Sequence, residues 1–131
     1  MFFFFLDPIK QPVFGSQMLG FEKAIDEFRE VDGAMTLNTL STLVHISRRL
    51  PALAFRQETL RDISSQMAMP HSSFLRHLAT LSEGGPGLKS MNLLERGIDP
   101  KAPDKRERLV RMTPDGLRLL RTVERHLTKG D

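Results

Sequence analysis

Four cationic side chains lie close together in the second half of the chain. Lys101, Lys105, Arg106 and Arg108 fall within eight residues. On a projecting loop they would produce a concentrated positive field, and such a field attracts phosphate groups. The alternative is a solvated charged hairpin that binds nothing.

The residues on either side of this loop predict the elements that hold it. Residues 92–98 are a short apolar run with a charged end, which predicts a strand that pairs back across the loop. Thr113 and Pro114 predict a helix start, because the Thr hydroxyl can accept from free backbone N–H groups and Pro loses only a donor without a partner. The sequence therefore predicts a two-stranded ribbon with a cationic tip, followed by a helix to about Lys129.

A second group of polar side chains lies on a predicted helix over residues 70–81. On the face opposite its apolar stripe and at the margins of that face are His71, Ser72, Ser73, Arg76 and His77. Small hydroxyls at a helix start can approach a phosphate or base, and arginine can donate two hydrogen bonds to guanine. Another short helix is predicted over residues 57–65, and two short helices joined by a few residues form a helix-turn-helix.

The helix-turn-helix and the ribbon together predict a mainly α fold with a small β-ribbon, a winged helix-turn-helix of five to six helices. Apolar residues at Met18, Phe21, Ala24, Ile25 and Phe28 predict an amphipathic helix over residues 16–31, with this stripe in the core rather than in a ligand site. Another helix is predicted from about residue 36 to residue 50, because the residue before a proline disfavours helix.

Length and composition are typical of one soluble globular domain. The 131 residues are 40% hydrophobic and 27% charged, and the formal net charge is +3. The charge is uneven, since residues 45–111 carry 12 Lys and Arg against 7 Asp and Glu. The absence of cysteine excludes disulfides and thiolate metal sites. The basic excess therefore coincides with the predicted helix-turn-helix and ribbon.

Several function classes lack their sequence signatures. The chain has no phosphate-binding loop with Lys-Ser or Lys-Thr, no His-Glu-x-x-His pair and no Gly-x-Ser-x-Gly elbow. We therefore expect no enzyme activity, no cofactor and no metal site. Residues 2–6, Phe-Phe-Phe-Phe-Leu, are too few to cross a membrane and lack a basic leader, so we expect a cytoplasmic protein. These phenylalanines require cover from the chain's own core or from a second subunit, which is favoured.

The order of these features resembles the MarR-type winged-helix transcription regulators over about residues 36–120. The most specific part is Asp104-Lys105-Arg106 followed by residues 109–116, Leu-Val-Arg-Met-Thr-Pro-Asp-Gly. The resemblance implies that Arg106 enters the minor groove and that Asp104 helps to hold it. It also implies that Arg76 lies on the surface that enters the major groove.

The expected function is therefore that of a sequence-specific regulator of transcription that binds double-stranded DNA. The alternative is a winged-helix protein interaction module, an adaptor or inhibitor that binds polymerase or another host protein. The expected partners are DNA and a second copy of the chain, and the family often binds a small-molecule effector, which this sequence does not identify. The site residues also include Gln57 and Thr59 as contacts to the DNA backbone.

The expected domain is residues 1–131, divided into an apolar arm and dimerisation helix (1–35), a DNA-binding core and wing (36–112) and a C-terminal helix (113–131). Two departures from the family stand out. Residues 82–91 form a longer, Gly-rich connection, interpreted as a flexible insertion that displaces the wing or acts as its hinge. The C-terminal dimerisation region is short, which suits a phage or mobile-element protein.

Histidine titration gives one further expectation. His71 and His77 flank the proposed reading face, and their protonation between about pH 5 and 7 would add positive charge near phosphates. Binding to DNA should then tighten as the pH falls.

Overall fold

The computed structural model describes residues 15–54, 58–98 and 108–130. Within these ranges the chain forms five helices and a two-stranded antiparallel sheet, which confirms the prediction of a mainly α fold with a small ribbon. None of the described helices is long and apolar enough to cross a membrane. The elements are α1 (Ser16–Val31), α2 (Leu37–Ala54), α3 (Leu60–Gln66), α4 (His71–Leu81), β1 (Leu94–Ile98), β2 (Arg108–Met112) and α5 (Pro114–Lys129).

Helices α1 and α5 pack against each other in antiparallel directions. The backbones come close at Gly20, where an added Cβ would clash with the backbone oxygen of His126. Ala24 and Phe28 continue the buried side of α1. The predicted bounds of this helix are confirmed.

The predicted core stripe of α1 is wrong for three of its members. Met18, Phe21 and Ile25 are 50%, 51% and 38% exposed. The small residues Gly20 and Ala24 let α5 approach closely, so the buried face of α1 is centred on them and the larger side chains lie beside it.

Helix α2 does not end before Pro51, as the sequence predicted, but continues to Ala54. A proline inside a helix removes one backbone hydrogen bond. The last turn nevertheless places Leu53 in the core, where it is only 2% exposed. We attribute the continuation to this burial, which offsets the lost hydrogen bond.

The core joins α2, α3 and α4 to the sheet. Leu43, Ile46, Ile63, Phe74 and Leu78 are fully buried. The strands pair from Leu94 with Met112 to Ile98 with Arg108, and Leu94 and Val110 point to the core. The ribbon is therefore fixed to the same core as α3 and α4.

Helix α5 starts at Thr113-Pro114, as the sequence predicted, and this start is also bonded to the residues before β1. The Thr113 hydroxyl accepts from the Gly116 N–H at 3.0 Å and donates to the Asn92 carbonyl at 2.7 Å. An added Cβ at Gly116 would lie 2.1 Å from the Leu93 oxygen. The helix ends at Gly130, whose φ of +71° is the left-handed conformation that glycine favours.

Residues 82–91, interpreted from the sequence as a flexible insertion, form a turn with its own backbone pairing. Gly84 and Gly87 have φ values of +77° and +72°, and Gly85 forms a β-bridge with Leu88. The backbone N–H of Met91 donates to the Thr80 carbonyl at 2.8 Å. Because neighbouring N–H groups make similar bonds to residues 81 and 82, the chain returns along the end of α4 before it enters β1.

Candidate nucleic-acid interface

Helix α3 begins with a reciprocal pair of hydrogen bonds, and a short connection joins it to α4. The Thr59 hydroxyl accepts from the Asp62 N–H at 3.1 Å, and the Thr59 N–H donates to the Asp62 carboxylate at 2.9 Å. The connection passes through Ala68, whose φ is +53°, and α4 begins after Pro70. Thr59, which was predicted to contact the DNA backbone, is exposed, and its side chain caps α3.

The inward face of α4 determines which side chains point outward. Phe74, Leu78 and Leu81 are fully buried, so Ser72 and Arg76 lie on the opposite side, four residues apart and both exposed. Within the described part of the chain, the Arg76 guanidinium has neither a hydrogen bond nor an ion pair. Of the five predicted residues on this helix, these two form the outward row.

The two histidines of α4 hold the helix in place. His77 Nδ1 lies 3.0 Å from the Thr39 hydroxyl of α2, and His71 Nδ1 lies 3.0 Å from the Ser64 hydroxyl of α3. Both rings are half-buried, as is Ser73. Burial, together with the nearby charge of Arg76, lowers the pKa of His77 below 6.5.

A polar network that the sequence analysis missed fixes α3 against α2. Arg49 Nε donates to Glu58 Oε1 at 2.9 Å, and Gln66 Nε2 donates to Glu58 Oε2 at 2.9 Å. His45 Nε2 lies 2.9 Å from Gln66 Oε1 and completes the network. The bonds from Arg49 and Gln66 lower the pKa of Glu58. These partners come from different elements, so no local spacing marks them in the sequence.

Most of the predicted wing residues lie outside the described residues. The strands place residues 99–107 between the paired ends Ile98 and Arg108. The connection carries three cations and three carboxylates, so its formal charge is zero. The predicted site residues that the structure does not describe are Gln57, Lys101, Asp104, Lys105 and Arg106; of Arg108 it describes only the backbone.

An apolar groove of about 400 Å³ lies between α1, α2 and α5. Exposed side chains from all three helices line it, among them Phe21, Ile25, Leu37 and Leu127. Isolated apolar side chains are common on protein surfaces, but a contiguous group of this kind is typical of an interaction surface.

The polar residues of the described ranges show no metal site, since no three His, Asp or Glu side chains come together there. The geometry instead offers an outward cationic row on α4 and an apolar groove on the other helices. Comparison of the chain with protein-family models, curated proteins and solved structures finds no match.

Proposed function

We propose that this chain is a sequence-specific regulator of transcription that binds double-stranded DNA through a winged helix-turn-helix of the MarR-like type. The observation that carries the proposal is the outward row of Ser72 and Arg76 on α4. The helix has 11 residues, or about 16 Å, and the major groove is about 12 Å wide and accepts one helix. Arg76, which has no described partner, is available to donate to a guanine.

The β-hairpin supplies the wing of the proposed interface. Residues 99–107 connect the ends of two paired strands, and in the proposal Arg106 enters the minor groove while Asp104 holds it. Lys101, Lys105 and Arg108 contact phosphates. Since the connection has no net charge, the position of Arg106 matters more than the overall field of the loop.

The apolar groove supports the proposed homodimer. Phe21, Leu37 and Leu127 are exposed in the single chain, and a second copy would remove them from water. A symmetric dimer places two α4 helices on inverted half-sites about 10 base pairs apart. The same groove is the observation that favours the second candidate, a protein interaction module that binds polymerase or another host protein.

Substitution of Arg76 tests the role of α4. We expect Arg76→Ala to weaken binding to the preferred duplex by about 5- to 150-fold, the equivalent of about 1 to 3 kcal/mol for a lost bidentate base contact. Binding to a shuffled duplex should weaken less. Fluorescence anisotropy with both duplexes measures the two losses.

Arg125→Ala is the matched control, because Arg125 is an exposed arginine on α5, away from α4. It should leave both affinities within about twofold of wild type. Equal losses on the two duplexes for Arg76→Ala would remove Arg76 from the specificity role. If wild type binds neither duplex at moderate salt, the interaction module is favoured and a pull-down for its partner follows.

A further inference from the structure

We propose that a cleft beside α4 binds a backbone phosphate of DNA, and that Lys89 of the Gly-rich turn supplies one of its cations. The cleft has a volume of about 230 Å³ and lies between the start of α2, the outer side of α4 and the turn. This inference rests on the proposed function. It assigns a role to residues 82–91, which the resemblance to a known family does not explain.

The charges that line the cleft favour an anion. Arg76 and Lys89 both line it, and Asp32 is the one carboxylate among its described lining residues. Lys89 Nζ lies 3.6 Å from Asp32 Oδ1, and the Lys89 side chain remains 74% exposed. Asp32 is only 13% exposed and also accepts from the Ala34 N–H at 2.9 Å. The Lys89 ammonium is therefore accessible to a phosphate, although it is paired with Asp32, and Asp32 is also held by the Ala34 N–H.

A chain of hydrogen bonds shapes the inner wall of the cleft. The hydroxyls of Thr36 and Thr39 lie 2.9 Å apart, and Thr39 in turn bonds to His77 at 3.0 Å. These bonds hold the His77 ring, which lines the cleft together with Arg76, against α2. The positive end of the α2 helix dipole lies at the same wall and favours negative charge.

The closed turn explains how Lys89 reaches this position. Gly84 and Gly87 adopt positive φ values, and an added Cβ at Gly84 would lie 3.1 Å from the Leu88 oxygen. The turn is paired through its backbone with the end of α4, so Lys89 is presented on the side that also carries Arg76. A DNA phosphate is favoured over a small free anion because Arg76 belongs both to the cleft and to the outward row of α4.

Two substitutions with opposite expected signs test the inference. Lys89→Gln should weaken binding to the preferred and the shuffled duplex equally, by about 3- to 10-fold near 0.1 M salt. The slope of log affinity against log salt should become smaller by about 0.9, as expected for one lost phosphate contact. Asp32→Asn keeps the shape and the acceptor for Ala34 but removes the negative charge, so both duplexes should bind more tightly.

Arg125→Gln and Glu124→Gln on α5 are the matched controls, since they change the net charge by the same amounts away from the cleft. If wild type binds DNA and the cleft variants behave like these controls, the inference is wrong and the proposed function stands. If wild type binds neither duplex, the proposed function fails. A titration with inorganic phosphate, followed through the NMR signals of His77 and Lys89, shows whether the cleft binds free phosphate. Binding of free phosphate by a protein that does not bind DNA would also contradict the inference.

Discussion

His77 and Arg76 are neighbours in sequence but serve different purposes. Arg76 points outward without a described partner, whereas His77 bonds to Thr39 and has a lowered pKa. The periodicity of α4 was sufficient to predict that Arg76 is outward, because three buried apolar residues define the other face. The bonds of His77 and His71 could not be predicted, since their partners lie on other helices.

The lowered pKa of His77 gives a prediction for DNA binding. In the free protein the neutral ring is favoured, and a bound phosphate would favour the protonated ring. Affinity should therefore increase as the pH falls below 6.5, toward pH 5, and His77→Gln should remove most of this increase. Fluorescence anisotropy at constant ionic strength measures the affinity for DNA against pH for both proteins. Superimposable profiles for wild type and His77→Gln would show that His77 does not face a phosphate.

Glu58 gives a prediction for folding stability. Its pKa is lowered from 4.5 in the folded chain by bonds from Arg49 and Gln66, so the unfolded state binds more protons in acid. The resulting stabilisation is present above about pH 4.5 and is lost as the pH falls through the folded-state pKa. Between pH 6 and pH 3, the free energy of unfolding measured in urea should fall less for Glu58→Gln than for wild type. An equal fall in the free energy of unfolding of both proteins would mean that the bonds to Glu58 do not contribute measurably to the pH dependence of stability.

At the scale of elements, local signals predicted the start of α5 but not the end of α2 or the buried face of α1. The start of α5 depends on Thr113 and Pro114 and was predicted correctly. The passage of α2 through Pro51 depends on the burial of Leu53, and the buried face of α1 depends on the close approach of α5 at Gly20. Both are tertiary effects that overrule a local preference.

The turn between α3 and α4 gives a prediction about an element. Ala68 has a φ of +53°, a conformation that costs a residue with a Cβ about 1 to 2 kcal/mol and costs glycine little. Since glycine is also more flexible when unfolded, we expect Ala68→Gly to raise the free energy of unfolding by about 0.5 to 1 kcal/mol.

Ala79→Gly, inside α4, is the control and should lower the free energy of unfolding by about 1 kcal/mol. Urea denaturation of the two variants measures both changes. If Ala68→Gly lost as much stability as Ala79→Gly, the claim that Ala68 is strained in this turn would be wrong.

For the whole molecule, the close pairing of α1 with α5 matters because both helices line the apolar groove. Gly20→Ala would place a Cβ 2.3 Å from the His126 oxygen, so the two helices would have to separate. We expect a loss of about 1 to 3 kcal/mol in the free energy of unfolding, the usual cost of overpacking. Gly15→Ala is the control, because nothing lies within 4 Å of its added Cβ. Equal stability of the two variants in urea would contradict this close contact.

The proposed assembly follows from how these parts are arranged. The sheet and α4 share one core, while the groove lies between α1, α2 and α5. A sequence can indicate a basic motif and an amphipathic helix, but the cleft at Lys89 forms only when the start of α2, the outer side of α4 and the Gly-rich turn come together. This is why the position and exposed face of α4 were predictable and the cleft was not.

The most direct test of the central claim is the affinity of the wild-type protein for the duplex upstream of its own gene and for a shuffled duplex, measured by anisotropy across a salt series. A DNA-binding regulator should bind the native duplex far more tightly, and both affinities should fall steeply as the salt concentration rises. No appreciable binding of either duplex at moderate salt would contradict the account.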